Sequence, residues 1–548
     1  RGNSPLADSG NAPFAPPVPL FYDREATNRA RATICALKGG PQGRQERQRN
    51  RFAPMITTNP FDDDKLREEC GIFGVSRGET ASAIVALGLH ALQHRGQESA
   101  GIAVSDGSSV TVVKDMGLVS SAFDERVLTV LEGEIAIGHT RYSTTGSSSW
   151  RASQPFYRDV AQLEFALAHN GNLVNTDELA EQTGMLDGVV VSDSDLVAEM
   201  LALELATGEA PSGNELCWAM KRVLPKLKGG FSFVVMDRDH LIGVRGPQGF
   251  WPLCLGKHEN GWVLASESPA LDTVGAHFVR EIDPGEMIVI DSDGWTSHHL
   301  FEEPDPRLCI FEFVYFSRPD TILYGQNIHS ARQNMGKQLA DQAPVNADLV
   351  MPVPESGIPA AQGFSQASGI PYKDGLVKNR YIGRTFIAPT QEMRSLGVKM
   401  KLNPIRRNIE GQRLVVVDDS IVRGTTTRAI VEMLRANGAA EVHMRISSPP
   451  YRWPCFYGMD TGSRTELIAA NLTNEEIRDY LGLDSIAYLE LDRLIGATGA
   501  SGAGFCTACL DGNYPVEIPR AIREEKIDKN ISELEQISIS VPQLNSES

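Results

Sequence analysis

The stretch Arg413–Thr427, RLVVVDDSIVRGTTT, constrains this chain more than any other. Leu414–Val417 is a short, apolar, β-branched run of the kind buried on both faces of a parallel sheet. Asp418 and Asp419 stand at its carboxyl end, where open α/β sheets bind their ligands. Ser420, Arg423, Gly424 and the threonines Thr425, Thr426 and Thr427 follow, and then RAIVEMLRANGA, a helical pattern closed by Gly438. Such a turn aims backbone N–H groups and hydroxyls at a phosphate, with a helix N-terminus behind it. The acidic pair suits ribose hydroxyls or a Mg²⁺ bound to a pyrophosphate. No Gly-Lys-Ser/Thr is present, so this is not a Walker P-loop. A buried strand and a plain polar turn would be simpler, but acids, glycine and hydroxyls in one register weigh against it.

At 548 residues the chain exceeds one ordinary core, so two or more domains are expected. A net charge of −18 argues against general binding to nucleic acid or anionic membranes, so an anionic substrate must be held by local features. No apolar stretch approaches the length of a membrane span, and no signal-peptide hydrophobic region is visible. Eight cysteines in so long a chain are too sparse for a disulfide scaffold, which favours a reducing, cytoplasmic setting.

Residues 1–54 are rich in proline, arginine and asparagine, and Pro41–Arg51 is a basic run expected to be disordered. A transit segment is one account of them, weakened by Asp8, Asp23 and Glu25; a start at Met55 is another. From Cys70 to about residue 300 strand signals crowd together (GIFGV, SAGIAVS, VTVVKD, IAIGHTRYS, GFSFVVMD, WVLASES), with amphipathic helices at Ser82–Gln93 and Ser194–Ala206. The Pro-rich passage Glu302–Arg307 marks the boundary. Beyond it ADLVMPVP, VVVDD and VHMRISSPP alternate with helical segments, the βαβ rhythm of a parallel sheet. Thr473 and Glu476 form a capping box. The expected organisation is a leader over 1–69, an α+β domain over 70–300, an α/β domain over 301–515 and a tail over 516–548.

Cys70 taken alone is a small hydrophobe opening a core strand. HRGQESAGI with Arg95, GHTRYSTTG with Arg141, HNGNL with Asn170 and Gly171, and SDSD with Asp193 change that. Together they resemble the glutamine amidotransferase domain of the N-terminal nucleophile hydrolases, a four-layer sandwich. The resemblance implies Cys70 as nucleophile, its own α-amine as base, and Asn170 and Gly171 as the oxyanion hole. It further implies that Arg141 and Asp193 hold the glutamine carboxylate and ammonium, and that Arg95 orders the loop beside the nucleophile. Cys70 is internal here, so a free α-amine implies cleavage after Glu69; otherwise the unprocessed chain would be inactive as a glutaminase.

The RLVVVDDSIVRGTTT register resembles the signature of type I phosphoribosyltransferases, which bind phosphoribosyl pyrophosphate (PRPP). PVPESGIPAA, with Glu355 and Ser356, is by itself an ordinary strand-to-helix loop, and KNRYIGRTFIAP, with Lys378, Arg380 and Arg384, a solvated basic loop. Beside a pyrophosphate, the second becomes a lid whose cations stabilise the leaving group. Both halves in this order are similar to the amidophosphoribosyltransferase family, from Cys70 to about Tyr514. The resemblance implies Mg²⁺ held near Ser356, Asp418 and Asp419, a 5-phosphate cradled by Gly424–Thr427, and ammonia from the first half displacing pyrophosphate at ribose C1 to give 5-phosphoribosylamine. It also implies purine-nucleotide inhibition, a homotetramer and a protected ammonia route.

Cys506 and Cys509 form a C-x-x-C that is open to redox, zinc or chance. With Cys309 and Cys455 it matches the contexts that hold a [4Fe–4S] cluster in one branch of the family, with four-thiolate zinc as the runner-up. Two other functions compete: an amino-sugar-forming glutamine amidotransferase, which would lack the VVVDDSIVRGTTT register, and a PRPP-sensing protein without catalysis.

Overall fold

The computed structural model describes residues 70–528 apart from 79, 143–148, 186–189, 260, 380–400, 462 and 501–503. The leader, Arg380 and Arg384 therefore lie outside the described residues.

Short alternating strands in the first half pair into two antiparallel sheets. The seven-stranded sheet runs, in spatial order, His277–Glu281, Cys254–His258, Gly261–Ala265, Gly71–Ser76, Ile135–Arg141, Ser99–Ser105 and Val110–Met116. The six-stranded sheet runs Trp295–His299, Glu286–Ile290, Leu241–Arg245, Gly229–Met236, Leu163–Leu173 and Phe156–Val160. Because side chains alternate along a strand, each strand feeds two cores. Ile72 and Ile137 meet Ala166, Val234 and Leu241 between the sheets. Phe73 and Val75 turn outward onto Val85 and Leu89 of the helix Ala81–Ala91. On the far side Phe165, Leu167, Phe233 and Val235 pack under Leu196 and Leu201 of the helix Asp193–Ala206. The result is helix, sheet, sheet, helix: the expected four layers. Gly74 permits their approach, since a Cβ there would lie 2.7 Å from Val234 Cγ1.

Residues 300–307 carry no helix or strand, and after them the pattern changes. Four parallel strands lie in the order Leu349–Pro352, Arg413–Asp418, Glu441–Ile446 and Ser485–Tyr488. The Arg413–Asp418 strand is interior. Leu414 and Val416 face Ile430, Leu434 and Ile477 on one side, while Val415 and Val417 face Leu339, Ala361 and Phe364 on the other. That two-sided burial is what its unbroken apolar run requires. The helix Thr425–Ala436 follows and Gly438 ends it at φ 87°. The Thr473–Glu476 capping box is formed and opens the helix Asn474–Leu481.

The two halves share one apolar core. Val174, Phe250 and Trp251 pack with Leu308–Phe311, Tyr451 and Phe456–Met459, and Trp251 Nε1 donates to the Tyr457 carbonyl at 2.9 Å.

The helices Ile328–Gln342 and Ile358–Ser368 touch through two glycines. A Cβ on Gly336 would lie 1.9 Å from the Ala360 carbonyl oxygen, and one on Gly363 1.9 Å from that of Gln333. Alanine is the better helix former by about 1 kcal/mol. Gly336→Ala is nevertheless expected to destabilise the protein by about 1–3 kcal/mol, because the backbones must separate. The shift of the chemical unfolding midpoint checks this.

Candidate functional site

Cys70 is half-buried at the head of the strand Gly71–Ser76, and its thiol donates to the Tyr142 carbonyl at 3.6 Å. Register brings its neighbours: Gly71 pairs with Thr140 and Ile72 with His139, so Arg141 lies at the same end. Arg141 is 4 % exposed; its Nη1 has no hydrogen-bond partner among the described residues and has the Glu98 carboxylate 3.7 Å away. The second sheet contributes Asn170 and Gly171. Asn170 is fully buried, and neither its amide nitrogen nor its carbonyl oxygen has a hydrogen-bond partner among the described residues. An amide so placed costs free energy unless a ligand meets it. Gly171 holds φ at 140°, and a Cβ there would strike the Gly230 carbonyl at 2.1 Å.

His139 ties these ends together. Its Nε2 donates across the sheet interface to the carbonyl of His169, the residue before Asn170, at 3.0 Å. Burial pushes the His139 imidazole down to about 3, so it is neutral and one nitrogen is fixed as donor. Asp193, at the start of its helix, accepts from the N–H groups of Leu173 at 3.1 Å and Ser194 at 2.8 Å, and lies 3.7 Å from His169 Nδ1. Ser192 caps that helix through the Asp195 N–H at 3.2 Å.

Arg95 is elsewhere engaged. It is 1 % exposed, its Nε bonded to Glu267 and its Nη1 and Nη2 forked onto Glu312 at 3.1 and 2.6 Å. Burial raises the Glu267 carboxyl, but Arg95 and His94 outweigh it and hold it well below the usual carboxylate range. Sequence reasoning missed both acids: Glu267 follows the strand Gly261–Ala265 with no motif of its own, and the one signal for Glu312 is its place as a lone acid inside the apolar CIFEFVYF.

In the second half Asp418 and Asp419 are 3 % and 1 % exposed. Asp418 accepts the Asp419 N–H at 3.0 Å, and the Ser356 hydroxyl lies 3.4 Å from Asp419 Oδ1. Gly424, at φ 81°, caps the helix whose first turn is Thr425–Thr427; no side chain caps that end and no acid occupies its first turn. Among the described residues the Ser420 hydroxyl is buried without a hydrogen-bond partner, as is that of Ser448, just past the end of the neighbouring strand, which sequence reasoning missed. A cavity of about 260 Å³ collects Ser356, Lys378, Thr426, His94, Arg332 and Lys401. Of these, Arg332 and Lys401 carried no motif, and His94 opens HRGQESAGI without having been assigned a role. Two expected cations are paired: Lys378 with Glu355 at 3.4 Å and Arg423 with Glu466 at 2.8 Å.

The four late cysteines share one core. Cys309 and Cys506 are directly opposed on paired parallel segments, and Cys455 and Cys509 are buried beside them. Burial pushes the Cys506 thiol up to about 12, and the nearby Cys455 adds to it. Among the described residues, no three His, Cys, Asp or Glu side chains stand close enough to grip a metal ion as they are. No described helix is long and apolar enough to cross a membrane.

Comparison with known proteins matches each half in turn. Residues 139–273 fit a family model described as a glutamine amidotransferase domain, and residues 320–447 one described as a phosphoribosyl transferase domain. The amidophosphoribosyltransferase of Mycobacterium bovis is 49% identical over 482 residues, 86% of this chain and 90% of that protein. That of Synechocystis is 50% identical over 471 residues, 85% and 94% of the two chains. Among solved structures, the glutamine PRPP amidotransferase of B. subtilis complexed with ADP and GMP superposes with a TM-score of 0.76 at 44% identity, covering 82% of this chain and 98% of that one. A structure described as the allosteric regulatory enzyme of purine biosynthesis gives 0.77 at 43%, covering 82% and 97%.

The buried His139 makes a pH prediction. An unfolded histidine takes up its proton near pH 6.5, the folded one only near pH 3. Between those values the unfolded state binds more protons, so stability falls as pH drops, by up to about 1.4 kcal/mol per pH unit. His139→Gln should flatten that part of the stability profile; an unchanged slope in denaturant titrations between pH 6.5 and 4 would count against it.

Proposed function

This chain belongs to the amidophosphoribosyltransferase family, and on that premise we propose that it converts PRPP and glutamine to 5-phosphoribosylamine, glutamate and pyrophosphate, the first step of purine biosynthesis. The observation that carries the two-site reading is Asn170: a fully buried amide with no hydrogen-bond partner among the described residues, next to His169, whose carbonyl accepts from His139 on the strand that ends in Arg141. In this proposal the Cys70 sulfur attacks the side-chain amide of glutamine, ammonia leaves as the thioester forms, and water then hydrolyses the thioester to release glutamate and restore the Cys70 thiol. The Asn170 side-chain N–H and the Gly171 backbone N–H take the charge that develops on the carbonyl oxygen. Arg141 holds the glutamine carboxylate and Asp193 its ammonium. The α-amine of Cys70 serves as base, which requires cleavage after Glu69.

In the second half Gly424–Thr427 receive the 5-phosphate at a helix N-terminus free of acids, with Ser420 and Arg423 beside it. In this reading the cations Lys378, Arg380 and Arg384 stabilise the leaving pyrophosphate, which ammonia displaces at ribose C1. Asp418, Asp419 and Ser356 suit Mg²⁺, because that ion binds through one or two carboxylates plus substrate oxygens and needs no closed protein cage. When bound it neutralises the leaving pyrophosphate. Positioning and charge neutralisation then supply the rate; no covalent intermediate is needed on this half.

Four soft thiols gathered in one core fit a [4Fe–4S] cluster on Cys309, Cys455, Cys506 and Cys509, with a structural or regulatory role because neither half-reaction moves electrons. About four irons and four sulfides per chain are expected after anaerobic purification; stoichiometric zinc without iron would replace the cluster by a zinc site. We further propose cytoplasmic location, a homotetramer, and inhibition by purine nucleotides, the last supported by the ADP and GMP of the B. subtilis relative. Domain limits near residues 300 and 515 complete the proposal.

Pyrophosphate release with PRPP, Mg²⁺ and glutamine tests the reaction; ligand binding without turnover would favour a sensor. Asn170→Ala should lower the glutamine-driven rate by about 10²–10³-fold while leaving the ammonia-driven rate in place.

A further inference from the structure

The segment CIFEFVYFSRP places one acid in an apolar run, and Glu312 is fully buried there. A buried carboxylate is tolerated only when cations and donors meet it. Both of its oxygens are held by the fork of Arg95, at 3.1 and 2.6 Å, and Ser317 Oγ donates to one of them. Such a bidentate pair fixes orientation as well as distance.

The turn carrying Glu312, Glu312–Phe316, is π-helical, a geometry found most often at functional sites. Arg332, 3 % exposed, clamps it at both ends, donating Nε to the Phe313 carbonyl and Nη2 to the Ser317 carbonyl, each at 2.8 Å. Burial pulls the Arg332 guanidinium down to about 10, against the opposing charges of Asp419, Glu267 and Glu312. Arg332 and Tyr315–Pro319 also wall the 260 Å³ cavity that holds Ser356 and Thr426.

On the other side of Arg95, the chain runs straight into the glutamine end. A Cβ on Gly96 would lie 2.6 Å from the Thr140 carbonyl carbon, so this loop rests on the Thr140–Arg141 backbone. The Glu98 N–H donates to the Arg141 carbonyl at 3.1 Å, and its carboxylate lies 3.7 Å from Arg141 Nη1. An unbroken set of directional contacts thus runs from the wall of the phosphoribosyl cavity to Arg141.

We infer that Glu312 is a positioning residue for glutamine: held by the Arg332-clamped turn, it fixes Arg95 and the His94–Glu98 loop behind Arg141. The inference rests on the two-site reaction proposed above. Glu312 touches neither substrate; it acts through Arg95.

The test uses the full chain with Glu312→Gln and Ser317→Ala, the second removing only the hydroxyl on Glu312. Glutamine hydrolysis is followed with and without PRPP and Mg²⁺, and pyrophosphate release is driven either by glutamine or by ammonia. Glu312→Gln should raise KM for glutamine about tenfold or more, with ammonia-driven kcat within about twofold. Ser317→Ala should shift the same KM in the same direction by less. An unchanged KM in Glu312→Gln overturns the inference. Parallel loss of ammonia- and glutamine-driven turnover with Ser317→Ala silent also overturns it. If Glu312→Gln does not fold, Ser317→Ala decides by the same KM. A wild-type chain that turns over ammonia but never glutamine sinks the proposed reaction itself, a separate result.

Discussion

One guanidinium, Arg95, lies between carboxylates from both halves of the chain, and much of the architecture is arranged around keeping it there. Glu267 and Glu312 are fully buried with it, and each carries further donors: His94, Thr321 and the Arg318 N–H on Glu267, Ser317 on Glu312. Removing one member of such a set strands the others, so the cost of breaking it exceeds the net worth of forming it. That asymmetry makes the group a strong specifier of geometry even where it adds little to stability. It lets one loop, His94–Glu98, belong at once to the cavity wall and to the surroundings of Arg141.

Much of this was legible in the sequence because it is local. The buried strand, the acid pair at its end, the left-handed Gly424 and the helix to Gly438 follow from a run of about 25 residues whose period and turn chemistry agree. The capping box at Thr473 is likewise a four-residue matter. The four layers needed the resemblance as well as the alternation of GIFGV, since period two says that a strand has two faces and not what covers them. What escaped was long-range. The pairing of Arg95 with Glu312 spans 217 positions, and nothing in either neighbourhood names the other. His139 read as one residue of a strand, and its role as a cross-sheet donor exists only once the sheets stack. Lys378 and Arg423 read as cations awaiting phosphate, and the fold gives each a carboxylate partner.

The cysteine core and the strand Leu163–Leu173 are also close neighbours. Asn172, two residues beyond Asn170, donates its side-chain amide to the Phe456 carbonyl at 2.9 Å, directly after Cys455. A Cβ on Gly458 would come within 3.2 Å of Gly171 Cα. The segment that carries one of the four thiols therefore lies against the strand that presents Asn170 and Gly171. Cys309 in turn stands three residues before Glu312. The thiol-bearing segments thus brace both the strand that carries Asn170 and the charged turn.

The shared core has a consequence for modularity. Val174, Phe250 and Trp251 are covered by residues from beyond position 307, and Trp251 finds the acceptor for its indole N–H there. Cut apart, the first half would expose a tryptophan, a phenylalanine and an unpaired donor on one face, and the second would lose the lid of its own interior. Although each half matches a family model of its own, in this chain neither is a free-standing part. The two chemistries are inherited, folded and retained as a single unit.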